Sequence, residues 1–215
     1  MAEGVNRTLP VYKVALSGRS DVGKTSIFRR IRGDGFLDDT TKFRHLPDDT
    51  IKVRVRDKTV KILFVDTAGM ERYGRLTRQH YHGSHVVLLV YDCDDSDSLK
   101  ELKEFYKDAR DNTNGAAMVL VRNKIDKDFQ SVDIAETTNL ICNHHTKDIC
   151  KFKFKAETSA KYNTGIEKLV NDIAEYLIKN VEPSNNRNVF QERLRLEEPR
   201  QQTPPTETSS SGCPC

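Results

Sequence analysis

Four short polar segments each stand directly after an apolar run, and no other feature constrains the fold of this chain so tightly. Gly18-Arg19-Ser20-Asp21-Val22-Gly23-Lys24-Thr25 follows residues 11–16, and Asp66-Thr67-Ala68-Gly69 follows 62–65. Asn123-Lys124-Ile125-Asp126 follows 118–121, and Ser159-Ala160-Lys161 follows a strand candidate over 151–158. Short apolar runs closed by polar turns read as buried strands. Helical stretches lie between them, and that alternation specifies a layered α/β domain. In an open α/β sheet ligands bind at the carboxyl edge of the strands, so the four segments are expected along one edge of one sheet.

The remaining patterning agrees. Ile51, Val53 and Val55 alternate with Lys52, Arg54 and Arg56, as in a strand with one wet face. Residues 60–65, 86–91 and 118–121 are nearly all apolar, which suits central strands. A helix is expected over 25–31, and a second after Ser96-Asp97-Ser98, with Leu99, Leu102, Phe105 and Tyr106 at helical spacing. In the last helix Ile166, Leu169, Val170, Ile173, Ala174 and Leu177 make one stripe that faces the core.

The first segment fits the pattern G-x-x-x-x-G-K-[ST] between a strand and a helix. Such a loop turns successive backbone N–H groups toward one point and adds the positive end of a helix, making an anion site for a di- or triphosphate. Gly18 and Gly23 let the backbone approach phosphate oxygens, Lys24 brings a cation to the outer phosphates, and Thr25 offers a hydroxyl to Mg²⁺. The candidate phosphate site runs over Gly18, Arg19, Ser20, Asp21, Val22, Gly23, Lys24, Thr25 and Ser26.

The base is read by two further segments. Asp126 can accept two hydrogen bonds from adjacent donors, and guanine presents such a pair in its ring N–H and exocyclic amine. Adenine presents an acceptor there, so the carboxylate would face a lone pair. The Lys124 stem can lie along the base, Asn123 can tie neighbouring loops together, and Ser159, Ala160 and Lys161 can offer a backbone N–H to the guanine carbonyl. Asp66 can reach Mg²⁺ through water, and the Gly69 N–H can contact a terminal phosphate.

Composition bounds the rest. A chain of 215 residues holds one domain of ordinary size plus a tail. A net charge of +3 on a chain that is 31% charged makes no case for nucleic acid as partner. No apolar stretch reaches the length of a membrane span, the first ten residues lack an apolar signal core, and Ala2 excludes the myristoylation pattern. Five scattered cysteines suit a reducing cytosol rather than a disulfide scaffold. Cys142, His144, His145 and Cys150 are not expected to bind zinc, because the first three fall on a helix candidate and Cys150 begins a strand. His80, His82 and His85 are expected as surface or supporting residues.

With these motifs in this order the chain resembles the Ras superfamily of small GTPases. Asp66-Thr67-Ala68-Gly69-Met70-Glu71-Arg72-Tyr73 and the ending Cys213-Pro214-Cys215 are similar to the Rab branch. The resemblance implies a P-loop small G domain, a six-stranded mostly parallel sheet flanked by five helices, with a disordered C-terminal tail. It divides the chain into a short extension (1–10), a G domain (11–181) and a flexible hypervariable tail (182–215) ending in a prenylation motif. It implies a GTP/GDP switch using Mg²⁺ held by Thr25, Asp66 and a threonine of the first switch, with Lys24, Gly69 and Met70 at the reaction centre. Exchange factor, GAP, effectors, prenylation machinery and a GDP-dissociation chaperone are the implied partners of a monomer. Its implied place is the cytosolic face of an intracellular or plasma membrane, in exchange with cytosol. Cys213 and Cys215 correspond to a doubly geranylgeranylated ending. Two lipids make physical sense, because four arginines against five glutamates give residues 182–215 a net charge of −1 and no electrostatic second anchor.

Three positions depart from the family pattern. Met70 stands where the family carries the glutamine that orients the attacking water, and a thioether donates nothing. Loss of one such group typically costs roughly 2.7–4 kcal/mol, or about 10²–10³ in rate, so slow hydrolysis is expected. Phe43 falls where the family has its Mg²⁺-binding threonine. Thr40, Thr41 and Thr50 are the replacements at hand, Thr41 the first choice. Asp21 occupies a position often held by glycine, where its carboxylate either repels phosphate or points into solvent.

Overall fold

The apolar runs become strands because burial on both faces of a sheet satisfies their backbone and side chains together. A computed structural model describes residues 9–33, 50–66, 78–127 and 152–182. Its elements in chain order are β1 (Val11–Ser17), α1 (Lys24–Arg32), β2 (Thr50–Val55), β3 (Lys58–Val65), α2 (Arg78–Tyr81), β4 (Val86–Asp92), α3 (Ser96–Asp111), β5 (Ala117–Asn123), β6 (Phe152–Glu157) and α4 (Ile166–Asn180). The strands form one sheet in the order β2-β3-β1-β4-β5-β6. Among the strands of the described residues only β2 and β3 pair antiparallel, through the tight turn at Arg56 and Asp57; the other strand pairings are parallel. The expected six-stranded, mostly parallel sheet is what forms. Four helices fall among the described residues, and the helix candidate around Cys142 lies outside them.

Each face of the sheet carries its own core. Val14, Leu16, Ile62, Phe64, Leu88, Val119 and Val121 meet Ile27 and Phe28 of α1 and the α4 stripe on one side. Ala15, Val87, Leu89, Tyr91 and Leu120 meet Tyr81 of α2 and Leu99 and Leu102 of α3 on the other. Every residue of β4 and β5 is buried, whereas β2 exposes Lys52 and Arg54 as its alternation required. The stripe on α4 is core, with Ile166, Leu169, Ile173, Ala174 and Leu177 buried.

The helix α3 starts three residues earlier than its sequence reading, which placed it after Ser98. Ser96, Asp97 and Ser98 belong to the first turn, and the cap is Asp95. In extended conformation its Oδ1 accepts from the N–H groups of Asp97 at 3.0 Å and Ser98 at 3.2 Å, satisfying donors the helix cannot. Ser98 is instead buried, receiving the Asp92 N–H on its Oγ at 3.1 Å.

Of the three histidines expected at supporting or surface positions, His82 is exposed and His85 is half-buried. His85 Nδ1 accepts the Lys13 N–H at 3.0 Å, and its ring meets Tyr12 edge-on at 5.3 Å. Burial pushes its pKa below the ordinary 6.5, and the Lys13 ammonium works in the same direction. Protonation at Nδ1 would also forfeit that hydrogen bond. A histidine whose folded pKa is depressed favours the unfolded chain once pH drops below the unfolded value. Stability is therefore expected to fall as pH drops from 7 toward 5. Thermal melts of wild type and His85→Gln across that range check it: the glutamine form should show a shallower slope.

Candidate functional site

The strand order decides where chemistry gathers. β1 lies between β3 and β4, where the order of strands along the sheet reverses, and the crevice outside their carboxyl ends is the expected ligand position. Four segments sit at that edge: the loop 18–23 after β1, Asp66 after β3, residues 123–126 at the end of β5, and 158–161 after β6.

The phosphate-type loop has the backbone its motif requires. Gly18, Asp21 and Gly23 all have positive φ, at 138°, 63° and 95°. Asp21 is exposed, which matches the solvent-facing alternative for its carboxylate. Gly23 is the N-cap of α1, so no side chain caps this helix, and its first turn holds no acidic residue. A helix start without a side-chain cap or a carboxylate in its first turn favours an anion. Arg29, Arg30 and Arg32 occupy the last turn, where cations complement the opposite pole. Lys24 is buried, and its Nζ donates to the carbonyls of Gly18 at 2.8 Å and Arg19 at 2.6 Å. The ammonium thus sits over the centre of its own loop. Arg19 turns outward to Asp95 and Glu101, each at 3.6 Å, in half-exposed pairs worth little.

Asn123 does what its position suggested and joins three segments. Its Nδ2 donates to the Val22 carbonyl at 2.8 Å, while its Oδ1 accepts from the Thr158 hydroxyl at 3.0 Å and the Ala160 N–H at 3.4 Å. The residue is 1% exposed, and all these bonds are buried. The phosphate-type loop and the loop after β6 are therefore held at a fixed spacing by one amide. Lys124 has φ 62° and Asp126 lies in the turn that follows. The Ser159 hydroxyl donates to Asp126 Oδ1, which fixes the plane of the carboxylate.

Several supporting residues escaped sequence reasoning. Asp92, at the end of β4, pairs with Lys124 at 2.9 Å and Lys127 at 3.0 Å. Burial works to raise its pKa, but hydrogen bonds from Lys124, the Asp94 N–H and Lys127 outweigh that and hold the carboxyl below 3.8. This buried carboxylate sets the direction of the Lys124 side chain. The signal was present, because Asp92 closes an apolar run just as the four chosen segments do. Thr158 and the Ser17–Tyr81 pair were also missed. The two hydroxyls of that pair lie 2.6 Å apart inside the core, linking α2 to the residue before Gly18. Hydroxyl pairs between distant segments leave no trace in sequence periodicity.

Thr25 lies in the first turn of the helix that follows β1, and Asp66 directly follows β3, the parallel neighbour of β1. A hydroxyl and a carboxylate are hard oxygen donors, the set that suits Mg²⁺ shared with phosphates. Among the described residues no cluster of three or more His, Cys, Asp or Glu is arranged to hold a metal by itself. Gly69, Met70, Thr41, Cys213 and Cys215 lie outside the described residues, as do Cys142, His144, His145 and Cys150.

Comparison with known proteins agrees with this arrangement. The model of the Ras family matches residues 13–179. RabC of Dictyostelium discoideum, a Ras-related protein, is 33% identical over 195 residues, covering 86% of this chain and 92% of its own. The GTP-binding protein Rab-3D of Rattus norvegicus is 31% identical over 211 residues, covering 94% and 90%. The GTP-binding protein YPTM2 of Zea mays is 32% identical over 161 residues, covering 73% and 75%. Sheet order, the loop after β1 and this coverage leave one assignment: the chain belongs to the Ras family and is a Rab-like small GTPase.

Proposed function

We propose that this protein is a guanine-nucleotide switch that binds GTP and GDP with Mg²⁺, hydrolyses GTP slowly, and recruits effectors to membranes in vesicle trafficking. The observation that carries the nucleotide reading is the Asn123 amide, which spaces the Val22 carbonyl of the phosphate-type loop against Thr158 and Ala160 of the loop after β6. Residues 18–26 hold the phosphates. Asp126 reads the guanine amide edge, the Lys124 stem covers the base, and Ser159, Ala160 and Lys161 face its carbonyl. Thr25, Asp66 and Thr41 would hold Mg²⁺, which when bound would neutralise charge on the phosphates. The reaction is in-line attack of water on the terminal phosphate, driven by positioning and electrostatics. Lys24 and the Gly69 N–H stabilise that charge.

Met70 sets the pace. With no amide to orient water, intrinsic turnover is slow and the GTP state is long-lived, unless a GAP supplies an arginine and a glutamine of its own. The tail carries lipids on Cys213 and Cys215, placing the domain on the cytosolic face of a membrane. Exchange factor, GAP, effectors, prenylation machinery and a GDP-dissociation chaperone then act on the monomer. The structure's four helices include none long and apolar enough to cross a membrane among the described residues.

Single-turnover hydrolysis of bound GTP with Mg²⁺ tests this, comparing wild type with Met70→Gln. The glutamine form is expected to be about 10²-fold faster. Equal rates would show that another group positions the water and would end the slow-switch reading. Met70 and Phe43 also favour a second reading, a GTP-binding membrane scaffold with negligible hydrolysis. Adding cell extract to the wild-type assay separates the two: a partner-stimulated burst of phosphate supports the switch, and none supports the scaffold. Competition between GDP and ADP checks the base.

A further inference from the structure

We infer that Arg30 is a positioning residue for base recognition, fixing the loop 159–161 so that α1 sets both ends of the nucleotide site. Its planar fork reaches across the fold to the loop after β6. Nε donates to the Ala160 carbonyl and Nη2 to the Lys161 carbonyl, both at 2.7 Å. A guanidinium presents its donors in a rigid planar fork, so it holds the two carbonyls in a fixed relative orientation, whereas the donors of an ammonium rotate freely.

The consequence is geometric. Peptide groups are planar, so fixing the Ala160 carbonyl also fixes the direction of the Lys161 N–H in the same peptide. That peptide belongs to the segment assigned to the guanine carbonyl under the proposed function, on which this inference rests. Other bonds shape the loop internally: Ser159 and Thr164 exchange backbone hydrogen bonds at 3.0 Å, and the Tyr162 N–H reaches the Ser159 hydroxyl at 3.1 Å. Asn123 holds the Ala160 N–H at a longer 3.4 Å. The short bonds that orient the 160–161 peptide against α1 come from Arg30. The same helix begins at Lys24, six residues earlier, or about 9 Å along its axis. One rigid helix therefore spans from the phosphate-type loop to the base-reading loop, and a displacement at either end is felt at the other.

The test uses the full chain and a probe changed only at the base carbonyl. GDP and 6-thioguanosine diphosphate compete against a fluorescent nucleotide, with inosine diphosphate, which lacks the exocyclic amine, as the control for Asp126. Sulfur is a weak acceptor, so wild type should prefer GDP over the thio analogue by about tenfold. Arg30→Met should reduce that preference to about twofold, with the GDP-to-inosine ratio unchanged, and Arg30→Lys should fall between. A preference unchanged in both variants, even with all nucleotides bound equally weakly, overturns the inference and leaves Arg30 a packing residue. If Arg30→Met does not fold, Arg30→Lys decides alone: a full wild-type preference overturns the inference, and a reduced one supports it. Wild type that does not distinguish GDP from either analogue overturns the guanine reading together with this one.

Discussion

Gly18→Ala is expected to lose nucleotide binding and to melt about 10 °C below wild type. Two costs combine at this position. The residue has φ +138°, a conformation that L side chains rarely adopt, and a Cβ there would lie 2.2 Å from the Val90 carbonyl oxygen and 3.2 Å from its carbon. That neighbour is backbone in the middle of β4, a fully buried strand, and cannot turn aside as a side chain would. Either β4 separates from β1 or the loop abandons its path. Strained backbone costs about 1–3 kcal/mol, and overpacking about 1–3 kcal/mol more. The sum is on the order of 4 kcal/mol, a large part of the 5–15 kcal/mol that holds a typical domain together. Gly33→Ala is the control. It also has positive φ, +80°, but its Cβ would meet nothing within 4 Å. It should bind GDP normally and lose only about 1–2 kcal/mol of stability. Thermal melts with fluorescent-GDP titrations check both, and equal behaviour of the two variants would contradict the account.

Asn123→Ala should raise the GDP release rate about 10³-fold. The substitution leaves the Val22 carbonyl, the Thr158 hydroxyl and the Ala160 N–H without the amide that joins them. Buried polar groups stripped of a partner cost about 1–3 kcal/mol each, and a loss near 4 kcal/mol corresponds to that change in rate. The isosteric Asn123→Asp isolates the donor. Its carboxylate can still accept from Thr158 and Ala160, but it presents an oxygen to the Val22 carbonyl where Nδ2 stood. It should therefore release GDP at least as fast as the alanine form. Stopped-flow displacement measures both, and a slow aspartate variant would mean the tie to the phosphate-type loop does not matter.

Much of the fold could be read before any coordinates. Apolar runs marked the inner strands β1, β3, β4 and β5 within about three residues at each end, because burial on two sheet faces leaves little room for polar side chains, and alternation marked the half-exposed β2. Helical spacing found the α4 stripe for the same reason: a face that packs must be apolar at intervals set by the helix turn. The miss at α3 is instructive. Ser96, Asp95 and Ser98 all have capping chemistry, and the choice among them depends on which side chain is drawn into the core. Ser98 is, because its hydroxyl receives the Asp92 N–H.

At the site, Gly18, Lys24, Asn123 and Asp126 were legible because their tasks fix both residue type and spacing from a strand end. The sequence by itself determined the layered α/β architecture, the sheet edge at which the four polar segments gather, and the residue types found there. Tertiary structure alone decided how those residues are held: Asp92 aims Lys124, Ser159 turns Asp126, and Arg30 clamps residues 160 and 161 from 130 positions away. Periodicity and motif spacing record what each segment does within its own neighbourhood. A hydrogen bond between distant segments requires only one donor and one acceptor at the right distance, and that distance exists only once the sheet has brought its strand ends together.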